Sequence, residues 1–250
     1  KRTKALRFLT YKYKNRLFLY MALCVVRETP DHTLEFLEEQ TEWRHKWDQN
    51  TVYYSLEYND ELPLIPKKKM KKALTAAMNT WNFEIPMKLK SMYRNYENAD
   101  IKVMFRKKED DHIFKERHGV MAYAYFPKTS KQGEIVFNLD YIWATHSDGI
   151  KASEAIELGI IENASNPDSK ITTYNIIHTM IHEIGHSLGL KHDADNNTTD
   201  VMDPYYDGKV LDLSSRDLYR IRVKYGTRVW RSWDMYARVK KWLYNRKRNI

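Results

Sequence analysis

HEIGHSLGLKHDADNNTTDVMDPYY, residues 182–206, decides how the rest of the chain is read. His182 and His186 stand four residues apart, so on a helix both imidazoles leave one face and can hold a single Zn²⁺. Glu183 follows the first of them. The ion does not need it as a ligand, but it stands close enough to take a proton from a metal-held water, which makes it the candidate general base. Gly189 supplies the left-handed backbone that ends a helix and turns the chain back. His192 then returns as a third ligand. Three neutral imidazoles leave the fourth position to water, whose pKa zinc brings down to roughly 7. An open position of that kind signals hydrolysis rather than scaffolding. HExxH alone arises on surface helices by chance, whereas HExxHxxGxxHD followed by Met202 in a VMDP turn is far more specific.

In these residues the chain resembles the metzincin metallopeptidases and, within them, the matrixins, the catalytic domains of matrix metalloproteinases. The resemblance implies a zinc endopeptidase of α/β, zincin-like fold. Its parts would be a twisted mixed sheet with an antiparallel edge strand, two long helices, one of them carrying HExxH, and a small irregular C-terminal part holding the Met-turn. Met202 would be the hydrophobic floor beneath the metal, and Pro204 and Tyr206 the outer wall of the main specificity pocket. Asp193 departs from the pattern, since matrixins usually carry Ser there, and it matches other metzincin branches instead.

GVMAYAYFP, residues 119–127, is similar to the matrixin edge strand that lines the cleft. An edge strand pairs its free amides with an extended polypeptide, so Met121 and Ala122 are the expected strand contacts with substrate. His178 lies one turn before His182 and shares its face. It is either a fourth ligand that closes the site or part of the pocket floor, and the resemblance favours the floor. Matrixins carry histidines for a structural zinc where this chain has Tyr123 and Val136, and acids associated with calcium where it has Asn138 and Tyr141. The departures imply one catalytic zinc, no second zinc and a weakened or missing calcium site. The segment is then expected to depend on Tyr123, Tyr125, Phe126, Phe137 and Trp143 for its order. The four aspartates of 193–203 suit Ca²⁺ or ordinary turn chemistry, without EF-hand spacing.

Lysine and arginine number 42 against 33 acids, a net charge of +9. With 30% charged and 42% hydrophobic residues the chain reads as globular rather than disordered or membrane-spanning. The charge favours anionic partners without choosing among them. Cys24 is alone, which excludes an internal disulfide. Matrixin pro-segments carry a PRCGxPD motif that places a thiolate on the zinc; the motif is absent, and packing is the commoner fate of a free cysteine.

Three regions are expected: an N-terminal extension over 1–50, a matrixin-like catalytic domain over 51–226 and a basic amphipathic tail over 227–250. The first sixteen residues hold seven bases and no acid, and residues 17–26 form an apolar run of ten. That layout fits a signal, an anchor or a pro-like segment, with a buried strand or short core helix as the alternative. A signal would imply secretion. Residues 31–49 read as a helix anchored by Leu34, Leu37, Trp43 and Trp47. A second helix follows Pro66, where Lys67–Lys69, Lys71 and Lys72 form either a patch for anions or simply the solvated side. Residues 144–170 read as a surface insertion with a short helix near 153–158, the active-site helix as 172–188 and a closing helix as 213–226. The tail fits an anionic membrane, a partner or a fold back onto its own domain. Nucleic-acid binding rests on charge alone and ranks low. The rival to an enzyme is a binding protein on a metzincin shell, against which the intact Glu183 argues.

Overall fold

The computed structural model describes residues 44–58, 62–192, 200–205, 208 and 210–229 in full, and the backbone of residues 23–27. Its centre is a six-stranded sheet in the order β1-β5-β6-β4-β2-β3. The strands are β1 (Leu23–Arg27), β2 (Thr51–Leu56), β3 (Lys88–Ser91), β4 (Ile101–Arg106), β5 (Val120–Tyr125) and β6 (Glu134–Asn138). From β6 to β3 neighbouring strands are parallel, while β5 is antiparallel to β6. β4 shows why these segments are strands. Ile101, Val103 and Phe105 are buried and the residues between them are half-exposed, the period of two that a sheet with one covered face requires. β5 is buried at all six positions because its other face carries a second cluster of Ile113, Phe114, Val120, Tyr123, Tyr125 and Val136.

Two helices cover the main face. In α1 (Lys67–Asn82), Met70, Ala73, Leu74, Ala77, Met78 and Trp81 recur at helical spacing and are buried. Trp81 Nε1 donates to the Ile181 carbonyl at 2.8 Å, tying α1 to the helix that carries His182 and His186, numbered α4 (Ile176–Ser187) below. Two short helices intervene, α2 (His112–Glu116) and α3 (Ala152–Glu157), and α5 (Ser215–Tyr225) comes last. The fold is therefore the mixed α/β, zincin-like arrangement expected. No helix of the described residues is long and apolar enough to cross a membrane.

Several boundaries differ from expectation. α4 begins at Ile176 rather than 172, because β10 (Tyr174–Asn175) is drawn into a parallel ladder with β7 (Trp143–Ala144). Asn175 then caps the helix, its side chain accepting from the Ile177 and His178 amides. The insertion holds α3 and an antiparallel pair, β8 (Ile150–Lys151) with β9 (Lys170–Ile171). Of the helix expected over 31–49, residues 45–49 are not helical. Trp47 has left any such surface to bury itself, donating its indole N–H to the Ser187 carbonyl at 2.8 Å. Residues 31–43, the loop 193–199, Tyr206 and the tail beyond Val229 lie outside the described residues.

The largest difference concerns β5. It is the antiparallel strand expected at the cleft, but it does not end the sheet, since β1 lies parallel along its outer side from Leu23↔Val120 to Arg27↔Tyr125. The register slips once, so Cys24 alone stands opposite Met121 and Ala122. An open edge presents unpaired amides and carbonyls, and LCVVR, apolar and β-branched, is suited to pair with them.

Candidate active site

α4 carries His182 and His186 on one face, and both side chains are buried. The helix ends where expected. Gly189 takes φ +88°, and the backbone carbonyl of His45 passes so close that any side chain there would collide with it. Tyr225 donates to the Leu188 carbonyl at 2.9 Å and Trp47 to that of Ser187, so the last turn is held by elements far away in sequence. From this fixed end the chain returns His192 to the other two histidines.

The three Nε2 atoms converge, with separations of 2.9 Å between His182 and His186 and 3.2 Å from each of them to His192. Among the described residues this trio is the grouping of metal-capable side chains. Its protonation follows from its neighbours. His182 Nδ1 lies 2.6 Å from the Val201 carbonyl and His186 Nδ1 2.6 Å from that of Leu190. A carbonyl only accepts, so each Nδ1 carries the proton and donates it, and each Nε2 is left with a lone pair. Burial and the neighbouring imidazoles hold both rings well below the ordinary histidine range, and burial with the Arg220 guanidinium brings His192 down to about 4. Lone pairs crowded on one point repel each other unless a cation stands between them. A tetrahedral zinc with Zn–N of about 2.0–2.1 Å would space its nitrogens by roughly 3.3 Å, so the residues fit that ion.

Glu183 projects from the same helix and is fully buried. Met202 is buried, and its Sδ packs against Gly185 inside HEIGH, where a Cβ would meet it. Asp217 in α5 explains why the turn around Met202 sits there. Its carboxylate accepts from the Val201 amide at 2.9 Å and the Met202 amide at 3.4 Å, and it forms a capping box with Ser214. Val201 in turn offers its carbonyl to His182, so α5 reaches that histidine through two hydrogen bonds. One turn later Arg220 donates to the Lys191 carbonyl at 2.9 Å, next to His192. Sequence reading missed Asp217 and Arg220. The S-x-x-D spacing from Ser214 was the available signal for the first, and periodicity offered none for the second.

The expected pocket residues are partly gathered. His178 Nδ1 donates to the Val210 carbonyl at 2.7 Å, which orients the ring one turn before His182. Pro204 is half-buried just after Met202, and Met121 and Ala122 are fully buried in β5. Tyr206 and Asp193 are not among the described residues. Phe126 follows β5 and sets its ring edge-on to His186, 6.0 Å between centroids, which joins the strand to the histidine cluster.

At the positions where a structural zinc was not expected, Tyr123 and Val136 face one another across β5 and β6. The Tyr123 hydroxyl donates to buried Asp111 at 2.7 Å, and the other Asp111 oxygen caps α2 through the Ile113 and Phe114 amides. Asn138 donates to the Val120 carbonyl and accepts from the Asp140 amide, while Tyr141 packs on Trp143 and Tyr174. Of the five aromatic residues expected to order this segment, four divide between two layers and the fifth stands apart. Phe137 and Trp143 pack together in the main core, Tyr123 and Tyr125 pack edge-on in the second cluster, and Phe126 stacks on His45.

Comparison with known proteins agrees with this geometry. The chain is 27% identical to human matrix metalloproteinase-26 over 190 residues, 73% of this chain and 60% of that protein. It is 29% identical to human matrilysin over 189 residues, 73% and 60% of the two chains, and 26% identical to karilysin of Tannerella forsythia over 197 residues, 77% and 33%. The aligned part thus spans about 60% of the length of the two human relatives. A family match described as Matrixin runs from residue 46 to 226, the stretch that contains strands β2 to β6 of the sheet, both long helices and the three histidines, and the chain accordingly belongs to the matrixin family.

Proposed function

We propose that the chain is a zinc-dependent endopeptidase that hydrolyses peptide bonds of extended polypeptides. The observation that carries the reading is the convergence of three Nε2 atoms, two on buried rings and the third on half-buried His192, at a helix that also carries the buried Glu183. Bound zinc would supply an acidified water and a Lewis acid for the scissile carbonyl. Glu183 takes a proton from the attacking water and delivers it to the departing amine, so no covalent acyl-enzyme is required. His182, His186 and His192 are the ligands, and the Nδ1 contacts of the first two fix ring orientation and tautomer. His178, already bonded to Val210, serves the pocket floor rather than the metal. Pro204 and Tyr206 form the pocket wall, and Met121 and Ala122 offer backbone to the substrate.

The N-terminal extension acts as a pro-like segment in this reading. β1 already pairs along the outer side of β5, where an extended substrate would add itself, and two strands cannot occupy one edge. The relatives named as matrix metalloproteinases support a secreted, extracellular setting.

The test is cleavage of a denatured protein such as gelatin or casein by the native chain and Glu183→Ala, with zinc content measured in both. Activity lost by roughly 10²- to 10⁴-fold in the variant, with zinc retained, is the expected result. Equal activity in both, or a zinc-loaded native chain inert to every substrate even after removal of residues 1–43, favours a non-catalytic binding role on the same fold.

A further inference from the structure

Residues 62–96 hold eight basic side chains and one acid. Five lysines lie in the first two turns of α1, two in β3 and one arginine, Arg94, in the loop that follows. The acid, Glu84, is buried and paired with Arg222 at 2.6 Å. All eight are exposed except Lys71, which is half-buried, and none forms an ion pair among the described residues. A surface chosen only for solubility intersperses both signs, and between Leu62 and Tyr96 this one does not, the exposed acid Glu97 standing at its border. The elements adjoin. Tyr93 donates to the Lys71 carbonyl at 3.0 Å and lies 5.0 Å beneath its ammonium, fastening the end of the strand segment to the helix. β3 is also the outermost strand on the side of the sheet away from β5 and the histidines.

We propose that this face is an exosite for a sulfated polysaccharide, a linear polyanion held at the sheet edge opposite the cleft. Seven of the eight cations are lysines, compact charges that meet sulfate groups without the forked geometry of arginine. No large hydrophobic side chain between 62 and 96 is exposed, so nothing there would enter a bilayer. The tyrosines nearby do not offer open faces for base stacking. Tyr58, Tyr93 and Tyr96 each lie under a lysine ammonium, at 5.5, 5.0 and 5.8 Å. What remains is a dense array of point charges, suited to a polymer whose affinity comes from counterion release. Because the cleft lies at the other edge, a tethered molecule keeps its metal site accessible.

The experiment titrates a heparin dodecasaccharide into the full chain carrying Glu183→Ala, which prevents self-cleavage, at low and at near-physiological salt. It is repeated for Lys68→Glu/Lys71→Glu/Lys72→Glu and for a comparison variant, Lys240→Glu/Lys241→Glu/Arg246→Glu, that reverses three charges of the tail. The helix variant is expected to bind roughly tenfold or more weakly and with a shallower salt dependence, while the tail variant stays within about threefold of the parent. Glutamine at the same three helix positions gives the same ranking if the reversed charges disturb folding, as followed by circular dichroism. The proposal is overturned if the tail variant takes the loss and the helix variant does not. It is equally overturned if single-stranded DNA of matched charge or anionic lipid vesicles bind as tightly as heparin.

Discussion

At the scale of single residues, the three histidines are arranged as a metal site would require. His182 and His186 spend their Nδ1 protons on the Val201 and Leu190 carbonyls, and burial keeps all three rings neutral. This has a cost in acid. An unfolded imidazole binds a proton near 6.5, whereas His192 in the fold does so only at about 4, and the two fully buried rings also lie well below their ordinary value. Between those limits the unfolded state takes up protons that the native state refuses, so stability falls as pH falls. The metal-free chain is therefore expected to keep its full stability above about pH 6.5 and to lose it progressively toward pH 4. Thermal unfolding in the presence of a chelator reads this directly, and a flat profile over that window would show that the rings are not held neutral. The histidine trio, Glu183 and Met202 were legible as candidates in the sequence because each lies at a fixed spacing within one short stretch. Asp111 was not. Its worth depends on Tyr123 standing 2.7 Å away and on two amides of α2, a relation that no local pattern records.

At the scale of elements, α5 braces the site from behind. Asp217 accepts from the amides of Val201, Met202 and Ser214, and it is 1% exposed. Asp217→Ala would strand these donors and remove the capping box, costing about 2–5 kcal/mol and loosening the Val201 carbonyl that orients His182. A lower urea midpoint together with faster zinc loss to a chelator is expected. A fall in stability with unchanged zinc retention would confine Asp217 to capping. Helices α1, α4 and α5 were readable from their apolar periodicity to within a few residues at each end. The start of α4 was misplaced because residues 174–175 answer to a partner strand more than thirty positions away, and Trp47 because its place is set by Ser187 and Tyr225. Propensity reads neighbours along the chain, and here tertiary pairing overrode it.

At the scale of the whole molecule, the two borders of the sheet are furnished differently. One border carries β5, the histidines and β1; the other carries β3 and the lysine-rich face. The sequence named β5 as the strand beside the cleft but gave no sign that residues 23–27 would pair with it, since the run containing them also suits a signal or an anchor. If β1 competes with substrate for the β5 edge, a chain lacking residues 1–43 should cleave peptides faster, with the gain in kcat/KM and zinc content unchanged. Equal rates would mean that β1 does not guard the cleft. The central claim, a three-histidine site with one position left for water, is tested most directly by X-ray absorption at the zinc edge of the purified chain. Three imidazole nitrogens and one oxygen, all at about 2.0–2.1 Å, are the predicted first shell. A fourth imidazole, as His178 would supply, or a sulfur at about 2.3 Å, as Cys24 would, contradicts it.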